Sequence, residues 1–143
     1  MVTLDTFAKR FTGLKRFVHK RGTELLIKHS EAIVKMQKDQ HLTGVNKLDK
    51  IMQQGYSSGY AKRRKKKGLQ TSYVDLHFTG KYHKGLKVRP DKEGVNVESN
   101  VDYEKYLRER FEGMAGLTKT NAEVIAQQLA NELAPEIKKY LVE

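Results

Sequence analysis

Leu86-Lys87-Val88-Arg89-Pro90-Asp91-Lys92-Glu93-Gly94-Val95-Asn96-Val97-Glu98 is the stretch that decides the fold. Apolar residues recur at every second position on both sides of a turn-forming segment, which is the period of a strand with one buried face. Strands are therefore predicted from Leu86 to Arg89 and from Val95 to Glu98. Pro90-Asp91-Lys92-Glu93-Gly94 joins them, with Pro90 supplying the fixed φ of a type I turn and Gly94 a positive φ.

Working outward, Val74, Leu76 and Phe78 alternate with Asp75, His77 and Thr79, so a further strand is predicted there, broken at the Thr79-Gly80 turn. The sheet then spans residues 73–98. On the other side, Ser99, Asn100 and Asp102 are N-cap candidates for a helix from Tyr103 to Glu112 that stops at Gly113 and Gly116. A last helix is expected to open on a capping box, Thr120 with Glu123, and to carry Ile125, Leu129, Leu133, Ile137 and Leu141 on one face. Pro135 should kink or restart it. Residues 99–143 are thus read as C-terminal helices.

At the N-terminus, Leu4, Phe7, Phe11, Leu14, Val18, Leu25, Ala32 and Met36 trace one face of a long helix over residues 4–39, with Gly22 as a place to bend. His29 falls near that stripe and reads as a packing residue. Leu42, Val45, Leu48, Ile51 and Met52 suggest a second short helix after the Thr43-Gly44 break. Residues 55–72 combine Gly55, Gly59 and Gly68 with a run of like charges and no apolar period, which predicts an exposed basic loop. The whole, residues 1–143, reads as one α+β domain: a long N-terminal helix, a small antiparallel sheet with a hairpin, and C-terminal helices. No internal repeat is visible.

The segment Tyr73 to Gly116 carries a resemblance. Thr79-Gly80, the hairpin Leu86-Lys87-Val88 to Val95-Asn96-Val97, then Ser99-Asn100, Asp102-Tyr103 and a helix running into Gly113 resemble the head–tail joining, or tail-completion, proteins of the neck of tailed phages. By order of elements the resemblance covers most of the chain, and by local pattern about forty residues. It implies a homo-oligomeric ring around a channel through which packaged DNA passes without sequence-specific contact. The partners it implies are a portal or adaptor on one side and tail proteins on the other, within a virion assembled from protein made in the host cytoplasm.

Lys and Arg number 28 against 17 Asp and Glu, for a net charge of +11. That balance favours polyanions or an acidic partner. The run Lys62-Arg63-Arg64-Lys65-Lys66-Lys67 concentrates it, and is more basic than the family pattern requires. It reads either as an arm contacting phosphates or an acidic neighbour, or as a solvated loop. The self-repulsion of so dense a block weighs towards the first. Tyr56, Tyr60 and Tyr73 flank it and can either stack on bases or pack on the domain edge. A stand-alone, sequence-non-specific nucleic-acid-binding protein is the alternative function.

Cysteine is absent, which excludes disulfides, thiol catalysis and thiolate zinc sites. Neither secretion nor membrane association is expected. His77 and His83 beside Asp75 match no metal or acid–base spacing and read as surface residues of a strand. Asp102, Glu104, Glu109 and Glu112 interleave with Lys105, Arg108 and Arg110, so they read as helix-surface pairs rather than a nuclease centre. With no phosphate-cradling glycine loop or nucleophile elbow, neither enzyme activity nor a cofactor is expected. Phe7, Phe11, Leu14 and Val18 form a stripe long for so small a domain, so they are expected to make an oligomer interface.

Overall fold

A computed structural model describes residues 2–52 and 55–143. It is an α+β fold: a long N-terminal helix, one two-stranded antiparallel hairpin and C-terminal helices. Helix α1 (Leu4–Lys28) starts on Thr3, whose hydroxyl accepts the Thr6 N–H at 3.2 Å. Instead of one helix over residues 4–39, the chain turns at His29 and continues as α2 (Ser30–Leu42). The break lies where the His29 ring is held by Glu132, and not at Gly22, which stays inside α1.

Helix α6 (Lys119–Val142) runs antiparallel to α1. Phe17 stacks on Tyr140 at 4.3 Å between centroids, Arg21 grips Glu136 through two bonds of 2.6 and 3.0 Å, and Lys28 reaches Glu132 at 2.9 Å. Thr118, not Thr120, caps α6, accepting the Asn121 N–H at 3.3 Å, and Pro135 is carried inside a single helix rather than restarting it.

The hairpin forms as its alternation demands. β1 (Leu86–Asp91) pairs with β2 (Gly94–Ser99), Val88 opposite Val97 and Leu86 opposite Ser99. The turn is tighter than the sequence reading: only Lys92 and Glu93 lie outside the strands, and Asp91 closes it by accepting the Glu93 N–H at 2.9 Å. Pro90 therefore sits within β1 opposite Val95, tolerated because a two-stranded ribbon has only edge strands. Gly94 takes φ 143° as expected of it.

No strand covers residues 73–79. Val74 and Asp75 are both buried, and Leu76 takes φ 57°, so strand alternation is broken in an irregular segment that leads into α4 (Lys81–Lys84). The expected helix after Thr43 is likewise a compact loop. Asn46 accepts the N–H groups of Leu48 and Lys50 at 2.9 and 3.1 Å, and Val45 bridges Ile51. The core joins Ile33, Met52, Val74, Tyr82, Leu86, Val97, Met114 and Ile125, while α5 (Glu104–Arg110) packs Leu107 against its edge.

Candidate functional site

The basic run is helical. α3 spans Ser58–Lys66, with the Ser57 hydroxyl accepting the Tyr60 N–H at 3.3 Å and four cations in its last turn, where the negative end of the helix dipole favours them. This corrects the loop expected over residues 55–72 at residues 58–66, while the run is exposed as expected except at Arg64. An apolar-period reading misses α3 because a single charged residue performs its anchoring.

That residue is Arg64, 1% exposed. Its Nε donates to the Gln70 carbonyl at 2.8 Å, Nη1 to the His77 carbonyl at 2.8 Å, and Nη2 to both Asp75 oxygens at 3.1 and 3.0 Å. Asp75 is completed by the Gln70 amide at 2.9 Å and the His77 N–H at 2.9 Å. The guanidinium also lies 4.5 Å from the centroid of the Tyr56 ring. A buried charge pair is tolerated when its remaining donors and acceptors are satisfied, and here nearly all are. Arg64 is therefore withdrawn from the six-residue contact surface expected of the run. Asp75 is pulled inward, which is why residues 73–79 do not form a strand.

The other five cations, Lys62, Arg63, Lys65, Lys66 and Lys67, are exposed, and among the described residues none pairs with a carboxylate. Arg63 and Lys67, one helical turn apart, lie 5.5 and 4.5 Å from the Phe78 ring centroid. Lys62, Lys65 and Lys66 point elsewhere around the helix, so α3 presents a basic ridge to solvent. Tyr60 packs on Tyr56 and Phe78 at 5.1 and 5.4 Å between centroids, and the Tyr73 hydroxyl donates to the Leu42 carbonyl at 3.1 Å. Of the two readings of these tyrosines, packing on the domain is the one the geometry realises.

On α1 the expected interface divides in two. Phe7 and Phe11 stack at 6.3 Å and are 39% and 59% exposed, with Leu4 at 87% beside them, whereas Leu14 and Val18 are half-buried. Gly80 takes φ 85° as N-cap of α4, and the Thr79 hydroxyl accepts the Lys81 N–H at 3.4 Å, so this turn is structural.

The histidines are not strand-surface residues. His83 is buried and bonds the Asp75 carbonyl at 3.0 Å, and burial lowers its pKa. His41, which the sequence did not single out, is fully buried 5.8 Å from the His83 ring. Its Nε2–H donates to the Met114 carbonyl at 2.6 Å, leaving Nδ1 without a partner, and burial pushes its pKa down to about 4. Gln37 and Gln40 share its face of α2 and hold the loop before α6 through Gly116 and Thr118. Among the described residues no group of three or more His, Asp or Glu is placed to hold a metal ion, and no helix is long and apolar enough to cross a membrane. Glu104 braces Arg108 at 2.9 Å and accepts the Ser99 N–H at 2.9 Å.

No family model matches the chain, and neither the curated proteins nor the solved structures contain a significant match to it.

Proposed function

We propose that this protein is a structural subunit of a tailed-phage virion, a head–tail connector or tail-completion protein that assembles into a ring around the DNA channel. Its work on this reading is binding and assembly, not catalysis. The observation that carries the reading is the uncovered tip of α1, where Phe7 and Phe11 stack on one another with more than a third of each exposed. Exposed large apolar groups contiguous on one helix mark an interface. Three cations near that tip, Lys9, Lys15 and Arg16, keep the surface soluble before assembly. A long first helix, a Thr-Gly turn, a hairpin, a short helix after Tyr103 and a terminal helix follow one another in the chain, with α2, α3 and α4 between the first helix and the hairpin, and this order supports the resemblance to the neck proteins.

The five exposed cations of the α3 ridge suit either the DNA path or an acidic surface of the adjoining portal, adaptor or tail protein. They also support the second reading, a stand-alone non-specific nucleic-acid-binding protein. Negative-stain electron microscopy of the purified protein separates the two. Closed rings of one fixed size are expected. A monomer at all concentrations whose DNA affinity falls steeply with salt would favour the second reading.

A further inference from the structure

A cleft of about 640 Å³ opens between α3, the segment 74–82 and α5. Leu76, Leu107 and Phe111 line it together with Tyr60 and Phe78, and Lys81 and Arg110 stand among them. No acidic side chain lines it among the described residues. Arg64 also borders the cleft, but Asp75 already neutralises it. Lys81 and Arg110 are exposed and make no ion pair among the described residues, so the cleft joins apolar walls to uncompensated positive charge.

We infer that this cleft is a docking groove for an acidic segment of a partner protein that carries a large apolar side chain, the apolar group entering between Leu76, Leu107 and Phe111 and its flanking carboxylates meeting Lys81 and Arg110. Charge complementarity selects this occupant. The tip of α1 from a second copy brings Phe7 and Phe11, yet its exposed cations Lys9, Lys15 and Arg16 outnumber its one exposed carboxylate, Asp5, and are repelled by Lys81 and Arg110. Nucleic-acid bases need open ring faces. Here Arg64 covers Tyr56, Arg63 and Lys67 cover Phe78, and Arg110 lies 5.5 Å from the Phe111 centroid. Most of these rings therefore carry a cation on one side, and the exposed Tyr103 with Leu76 and Leu107 leaves an apolar wall that suits a side chain such as Phe or Leu. Arg63 and Lys67 of the α3 ridge reach its Phe78 wall, whereas Lys62, Lys65 and Lys66 do not line it, and the groove does not depend on ring assembly.

Fluorescence anisotropy with a labelled peptide, Asp-Glu-Asp-Phe-Leu-Asp-Glu-Asp, tests the inference. Two control peptides accompany it, one with Ser-Ser replacing Phe-Leu and one with Lys replacing every acidic residue, together with a labelled oligothymidylate. The acidic Phe-Leu peptide is expected to bind about tenfold or more tighter than either control, because both the anchor and the charges contribute. The double variant Lys81→Glu, Arg110→Glu should abolish that preference while leaving thermal unfolding unchanged, since both residues are exposed. The triple variant Lys62→Gln, Lys65→Gln, Lys66→Gln should leave it intact. Equal binding of the Ser-Ser peptide, loss of binding in the triple variant alone, or oligothymidylate binding that depends on Lys81 and Arg110 would each overturn the proposal.

Discussion

The Arg64 guanidinium lies 3.0 Å from the Asp75 carboxylate with both side chains buried, and this one pair determines which way the basic helix faces. It turns a run of six like charges into five outward cations and one inward anchor. Arg64→Ala strands the Asp75 carboxylate in the interior and should cost about 3–5 kcal/mol, the usual consequence of removing one partner from a buried pair. Urea denaturation measures it. Replacing both residues at once, Arg64→Met with Asp75→Leu, should recover part of the loss. A cost for Arg64→Ala of below about 1 kcal/mol, the range of exposed pairs, would mean that the guanidinium is solvated.

The ridge makes a separate, electrostatic prediction. If the five exposed cations meet phosphates, neutralising Lys62, Arg63, Lys65, Lys66 and Lys67 together should flatten the salt dependence of duplex binding by at most about 4.5 units, at roughly 0.9 per contact. Sequence preference and fold should not change. Including Arg64 in the set should in addition destabilise the fold, through the buried Asp75 left unpaired. A normal slope combined with lost particle assembly would assign the ridge to an acidic protein neighbour.

At the hairpin, Gly94 occupies φ 143°, a region that β-branched residues avoid, in a buried position next to the two-residue turn. Gly94→Val should lower stability by about 1–3 kcal/mol. An unchanged thermal midpoint would show that the turn relaxes without strain.

Acid should loosen the core through His41. Its pKa falls from an ordinary 6.5 to about 4 on folding because burial disfavours the charged ring. The unfolded chain therefore takes up the proton first. Stability is full above pH 6.5, declines as pH falls from about 6.5 to about 4, and levels off below that. The loss is on the order of 3 kcal/mol at about 1.4 kcal/mol per unit, and His83, shifted in the same direction by burial, adds to it. His41→Gln should shallow the decline when unfolding is followed across that window. An unaltered pH profile would locate the acid sensitivity elsewhere.

How much of this was legible in the sequence depends on what each element packs with. The hairpin, α1 and α6 advertise themselves through apolar side chains at strand or helix spacing, while α5, which has no fully buried residue, is marked by cap candidates before it and glycines after it. The break at His29 is invisible to periodicity, since the bond that accompanies it comes from Glu132 more than a hundred residues away. α3 was hidden because its only fully buried residue is an arginine, and the false strand at 73–79 arose because alternation places Asp75 on a solvent face while Arg64 draws it inside. Gln37, Gln40 and His41 were missed for the same reason: polar residues filling an inward helix face carry no hydropathy signal. Their spacing of three and four on α2 was the one clue available. At the α1 tip the apolar spacing of Phe7, Phe11, Leu14 and Val18 is legible, but not that Phe7 and Phe11 stay exposed while Leu14 and Val18 are half-buried.

Sedimentation velocity of the unaltered protein and of Phe11→Asp, compared side by side across a wide concentration range, tests the assembly account most directly. Phe11 is 59% exposed, so the substitution should leave the single-chain fold and its unfolding temperature unchanged. The account predicts one large species of fixed size for the unaltered protein and its collapse to monomer in Phe11→Asp. A monomer for both proteins, or an assembly that survives Phe11→Asp undiminished, would contradict it.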